Sequence, residues 1–189
     1  MAPTSGDKSH IDSTPATSLS YAARRLLGNR KLIVAANRGP LSFTEDHTGQ
    51  LAPRSEPSRG FEQFEAFSDV EISWVTGAVS AADRKAADTL GDPAGLIQND
   101  VLPKDWATRF VSLPRRVHHK FYNVICNPLL WFMLHRSWSP TFTPNIGSDE
   151  HDAWERGYKA VNESFATTVV ELAGDEEIAL LCRDYQLML

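Results

Sequence analysis

LIVAANRGP, residues 32–40, is the stretch on which the fold turns. Leu32 to Ala36 form a short, continuous apolar run. Such a run suits a strand covered on both faces in a parallel sheet, which has no solvent side to alternate toward. It stops abruptly at Asn37-Arg38-Gly39-Pro40, because glycine and proline punctuate a strand rather than extend it. Arg38 therefore stands just beyond a buried strand. It reads either as a solvated loop arginine or as an anion clamp, since a guanidinium offers a planar fork of donors suited to phosphate oxygens. The adjoining Gly39 would let the backbone approach the same ligand.

Working outward, ISWVTGAV (72–79), ATRFVSL (107–113) and IALLC (178–182) share the texture of buried strands. Residues 40–54 read as a hairpin or loose loop with Thr48-Gly49 near its tip, and Phe61 to Phe67 as a short helix. SAADRKAAD (80–88) opens a helix on a serine cap. Residues 118–136 are helical with an interruption at Pro128. A further helix begins near Asp152, where Trp154, Tyr158, Val161, Phe165, Val169 and Leu172 recur every three or four residues as one apolar stripe. Strands alternating with helices predict an α/β fold, a mostly parallel sheet with helices on both faces. Ligands of such sheets sit outside the carboxyl ends of the strands. Two polar clusters fall at such ends: Asn37 to Pro40, and Arg183-Asp184-Tyr185-Gln186. There is no internal repeat, glycine-rich dinucleotide fingerprint, Walker loop or zinc-ligand spacing.

The hydrophobic share of 42% and charged share of 23% are those of an ordinary globular protein. A net charge of -5 without a basic stripe argues against a nucleic-acid partner. No apolar run is long enough to cross a membrane. Cys126 and Cys182, each within an apolar stretch, read as reduced, buried residues of a cytoplasmic protein. The start of the chain, MAPTSGDKSHIDSTPATSLS, lacks the apolar core of a secretory signal, and its Ser, Thr and Pro content predicts disorder. The expected division is a tail over 1–30 and a single domain over 31–189.

FYNVICNPLLW, residues 121–131, concentrates aromatic rings, amides and a proline. Tyr122 and Trp131 are nine residues apart, which on one unbroken α-helix places them on opposite faces. Pro128 argues against an unbroken helix, and Asn127-Pro128 reads instead as an N-cap followed by proline at the first helical position. A helix starting there would direct free amides at an anion, and the two rings would flank one cavity. Spacing leaves both that reading and plain core aromatics open. Asp184 suits a substrate hydroxyl, a helix cap or a pair with Arg183. His118 and His119 diverge as neighbours on a helix and make a poor metal pair. The run Arg115, Arg116, His118, His119, Lys120 reads as the solvated start of a helix.

NRGP, FYNVICNPLLWFMLH, DAWERGYKAVNESFA and DYQLML occur in this order, and together they resemble the N-terminal half of trehalose-6-phosphate synthases, the retaining glycosyltransferases of family 20. The resemblance runs from about Lys31 to Leu189. It implies a Rossmann-like domain, the acceptor-side half of a GT-B enzyme, with glucose 6-phosphate and a nucleotide sugar such as UDP-glucose as substrates and no cofactor or metal. It also implies roles: Arg38 on the acceptor phosphate, Tyr122 and Trp131 shaping the acceptor pocket, Asp184 on sugar hydroxyls, and Gly60 near the donor phosphates.

The chain departs from the family where H-D-Y-H reads Arg183-Asp184-Tyr185-Gln186 and where a double glycine reads Arg59-Gly60. The resemblance implies a second, nucleotide-sugar domain after Leu189, so the 189-residue chain alone is expected to lack useful transferase activity. Open beside the transferase are a non-catalytic sugar-phosphate-binding or regulatory module, acting alone, as a homo-oligomer or with a full-length partner, and a relative using another acceptor such as glycerol 3-phosphate.

Overall fold

The computed structural model describes residues 15–55, 64, 67–137 and 146–189, with residues 15–18 as backbone alone. In chain order these form helix α1 (Pro15–Leu27) and strands β1 (Lys31–Ala36), β2 (Leu41–Glu45), β3 (Leu51–Ser55) and β4 (Ile72–Gly77). Helix α2 (Ala81–Leu90) and strands β5 (Leu96–Ile97) and β6 (Trp106–Val111) follow. Then come the long helices α3 (115–134) and α4 (148–173), and strand β7 (Ile178–Arg183). One sheet has the order β5-β6-β4-β1-β7, with β6, β4, β1 and β7 mutually parallel and β5 antiparallel at the far edge. Strands β2 and β3 pair separately as a hairpin.

The unbroken apolar run of β1 is explained by two cores. Ile33 and Ala35 pack with Phe121, Ile125, Tyr158 and Phe165 of α3 and α4. Val34 packs on the opposite face with Trp74, Phe110 and the hairpin residues Leu41 and Phe43. Each fully buried Val, Ile, Leu or Phe side chain among them contributes about 1.5–3 kcal/mol. The hairpin is tied to α2 through one carboxylate. Asp83 accepts hydrogen bonds from the Ser80 amide (2.8 Å) and the Phe43 amide (2.8 Å), while Ser80 Oγ caps the helix by accepting from the Asp83 amide (2.9 Å). Helices thus cover both faces of a mostly parallel sheet, as the sequence predicts.

Four expectations need correction. Residues 15–27 of the predicted tail are helical. Ser20 is buried, Ala23 and Leu27 pack on the second core, and the Arg24 guanidinium donates to the Asp69 carbonyl (2.6 Å) and pairs with its carboxylate (3.1 Å). Ala-Ala-Arg-Arg-Leu-Leu supplies the helix-forming residues that the Ser/Thr/Pro-rich segment before it lacks. Strand β7, predicted buried, lies at the sheet edge with Leu180 and Leu181 47% and 43% exposed. Cys182 is exposed with it, whereas Cys126 is fully buried, its thiol pushed up to about 12 by burial and then by the Asp184 charge.

The last correction concerns Pro128. Helix α3 is unbroken, with a π-helical hydrogen-bond pattern over His119–Trp131 and Pro128 inside it. The wider i→i+5 turn relieves the contact with the preceding turn that excludes proline from an α-helix. Asn127 is therefore no cap, and no free amides open at Pro128. Of the predicted helix from Phe61 to Phe67, Phe64 packs edge-on against Trp74 (5.0 Å between ring centres), and residues 61–63 and 65–66 lie outside the described residues.

Helix α4 carries its own π segment, Trp154–Lys159, facing that of α3. Gly157 lets the two backbones touch: a Cβ there would lie 2.6 Å from Lys120 Cβ and 2.8 Å from the Phe121 nitrogen. Beside this contact the Phe121 and Tyr158 rings stack (5.9 Å), and Lys120 pairs with Asp152.

Candidate functional site

Ala36 pairs with Arg183 at the carboxyl ends of β1 and β7, so the segments leaving these strands emerge side by side. The chain goes from β1 to β4 on one side and later returns to β7 on the other, so this edge is a topological switch point. A cavity of about 200 Å³ opens there, lined by Asn37, Arg38, Tyr122, Arg183, Asp184 and Gln186, with Ala36 at its base.

Both rims are held by close packing. Gly39 crosses directly over Thr76 of β4, where a Cβ would meet Thr76 Cγ2 at 2.2 Å. On the other rim Asp184 adopts a left-handed backbone, φ 72°. Aspartate tolerates this region better than most residues, and its Oδ1 accepts the Tyr185 amide (2.8 Å). Helix α4 fastens the turn that follows. The Tyr158 hydroxyl donates to the Tyr185 carbonyl (2.9 Å), and Asn162 Nδ2 donates to the Gln186 carbonyl (3.2 Å). The apolar stripe of α4 thus covers the sheet and also sets the loop that carries Asp184.

Of the residues singled out from the sequence, Arg38, Tyr122 and Asp184 come together in this cavity. Trp131 does not. It is 39% exposed and stacks on His135 (4.4 Å, 22°) near the end of α3. The expected pairing of its ring with that of Tyr122 rested on a helix break at Pro128 that does not occur. Gly60 lies outside the described residues. Arg183 joins Arg38 as a second guanidinium at the cavity.

His118, read from the sequence as part of a solvated helix start, stacks flat on Tyr122 (5.7 Å, 19°) and stiffens that wall. The available signal was its spacing four residues before Tyr122, which puts both rings on one helix face. Burial, and then the charges of Arg38, Arg84 and His119, hold the His118 imidazole below its ordinary range. Its folded-state value lies below the unfolded one, so protonation favours the unfolded chain. Stability is expected to fall as pH drops through the ordinary histidine range and the His118 titration below it. His118→Gln should flatten that dependence in urea titrations at stepped pH. An unchanged slope would refute it.

Chemically, two guanidiniums suit an anion, while the Asp184 carboxylate and the Asn37 and Gln186 amides suit hydroxyls. The Tyr122 ring offers a flat face beside them. Among the described residues no group of side chains is arranged to hold a metal ion, and no helix is long and apolar enough to cross a membrane.

An α/β protein with a polar cavity at the carboxyl edge of its sheet is what fold and geometry define. The chain belongs to glycosyltransferase family 20, whose model matches residues 30–189. Among solved structures it is similar to one from E. coli described as trehalose-6-phosphate bound with UDP-2-fluoro glucose (17% identity, TM-score 0.53). It is also similar to an alpha,alpha-trehalose-phosphate synthase (UDP-forming) from Burkholderia vietnamiensis (16% identity, TM-score 0.52). In both cases the match covers 83% of this chain and 28% of the other. A third, a trehalose-6-phosphate synthase, is 19% identical at a TM-score of 0.53, covering 83% of this chain and 29% of its own. The chain thus spans less than a third of the length of these relatives, and at such identities the likeness shows the fold. Compared with curated protein sequences, the chain has no match.

Proposed function

We propose that this domain binds the phosphorylated acceptor in a retaining glucosyl transfer, in which glucose passes from UDP-glucose to glucose 6-phosphate to give trehalose 6-phosphate. The supporting observation is the convergence of Arg38, Tyr122 and Asp184 on one cavity at the switch point. In this reading the domain is the acceptor side of a GT-B enzyme of the cytoplasm. Arg38 and Arg183 hold the phosphate, Asp184 accepts hydrogen bonds from sugar hydroxyls, and Tyr122 flanks the ring. The acceptor hydroxyl attacks on the face that the nucleotide leaves, its proton passing to the departing phosphate. The residues named contribute orientation and charge placement.

The test is thermal. A ligand that binds only the folded chain stabilises it by about 2.7 kcal/mol at a hundred times its dissociation constant. Glucose 6-phosphate is expected to raise the melting temperature, and Arg38→Ala to abolish the rise. No shift at millimolar concentration would refute the acceptor-side reading. Glycerol 3-phosphate titrated in parallel tests the choice of acceptor.

A second reading is a binding module without catalysis. Arg183 and Gln186 favour it, because both line the cavity at the positions where the resemblance places histidines. A thermal shift with glucose 6-phosphate, but no UDP release dependent on it even when a family nucleotide-sugar domain is joined after Leu189, would support that reading over the transferase.

A further inference from the structure

A second cavity, of about 270 Å³, lies between the amino end of α2 and the beginning of α3. Arg84, Arg115, His118, His119 and Asn123 line it, and no lining residue carries a carboxylate. Lys31, Lys85, Arg109, Lys120, Arg156 and Lys159 each lie within ion-pairing distance of a carboxylate. Among the described residues the cations of this cavity have no such partner. Arg84 is held in place by donating to the carbonyls of Ala78 (3.2 Å) and Val79 (3.3 Å), which leaves other guanidinium donors free. His118 Nε2 is buried and has no hydrogen-bond partner among the described residues. The one carboxylate in the first turn of α2, Asp83, is engaged by the amides of Ser80 and Phe43.

Like charges brought together in a concave site without a counter-ion raise a local positive potential that an anion relieves. Guanidinium forks and an imidazole N–H match the oxygens of a phosphate group, and an exposed helix start adds its own favourable field. We infer that this cavity is a second anion site, separate from the one at Asp184, and that it takes a phosphate-class anion between Arg84, Arg115, His118 and His119. Its volume leaves room for an organic body attached to the phosphate. The stack of His118 on Tyr122 forms the shared wall between the two sites.

The experiment follows the histidine ring signals of the full chain by NMR while inorganic phosphate is added. Phosphate is expected to shift the His118 titration upward, because a bound anion offsets the repulsion from Arg38, Arg84 and His119. The shift should persist in Arg38→Ala. In the double variant Arg115→Ala with His119→Ala, both at exposed positions, the apparent affinity should fall roughly tenfold or more. Arg115→Gln alone provides a milder variant should the double one fail to fold. Glucose 6-phosphate titrated into Arg38→Ala separates the two sources of the anion. An effect greater than that of inorganic phosphate identifies an organic phosphate, and an equal effect identifies the phosphate group alone. The inference is overturned if phosphate leaves His118 unmoved, or if the response survives loss of Arg115 and His119. It is also overturned if the response vanishes in Arg38→Ala, which would place the anion in the first cavity.

Discussion

Replacing Gly157 with alanine is expected to destabilise the protein, although alanine in a helix ordinarily gains about 1 kcal/mol over glycine. The reason is the contact between the π segments of α3 and α4. The added methyl would sit 2.6 Å from Lys120 Cβ, 2.8 Å from the Phe121 nitrogen and 2.9 Å from the Lys120 carbonyl carbon. Two of these three atoms belong to the backbone, which cannot rotate aside. The helices must separate, which loosens the stacked Phe121 and Tyr158 rings and the ion pair between Lys120 and Asp152. Overpacking of this kind costs about 3 kcal/mol at the upper end of its usual range. After the helix-propensity gain, the net loss is about 2 kcal/mol, or roughly 4–8 °C in melting temperature for a chain of this size. Urea unfolding measures it directly. A midpoint equal to or above that of the parent protein would show that the helices are not in contact at Gly157.

Gly39→Ala is expected to damage stability and ligand binding together. Its methyl would lie 2.2 Å from Thr76 Cγ2 and 3.0 Å from Thr76 Cβ. Thr76 is fully buried on a central strand and has no room to turn. The segment 37–40 must then lift off the sheet, and Arg38 moves with it. A destabilisation of about 2 kcal/mol is expected. The accompanying loss of any thermal shift by glucose 6-phosphate should exceed what a general loss of stability produces. Combining Gly39→Ala with Thr76→Ser removes the offending methyl, and the double variant should recover most of both properties. A coupling energy near zero in that double-mutant cycle would refute this account.

The sheet and its two covering layers were legible because the apolar runs at 32–36 and 72–79 match strands buried on both faces, and the stripe from Trp154 to Leu172 matches a helix buried on one. The cavity was legible in part for the same reason: Arg38 and Asp184 each follow an apolar strand, and parallel pairing of those strands brings them together. The continuity of α3 was hidden because sequence rules treat proline as a helix breaker, whereas a π-helical turn accommodates Pro128 without a break. The exposure of β7 was hidden because its Leu-Leu-Cys run has the composition of a covered strand, and composition does not say which strand stands at an edge. His118 escaped because its ordinary spacing from Tyr122 was outweighed by the charge of its neighbours.

Among the described residues strand β7 is hydrogen-bonded to β1 alone, whereas β1 is flanked by both β4 and β7. The two rims of the Asp184 cavity therefore differ in stiffness. Arg38 is carried by a strand whose amides open only with the sheet as a whole, whereas Asp184 is carried by one that can fray by itself. In hydrogen exchange the amides of β1 should outlast those of β7, and a ligand that bridges the rims should slow the β7 amides most. The energy that orders the softer rim then comes out of the affinity for that ligand, so the cavity would bind most tightly whatever partner already holds β7 in place.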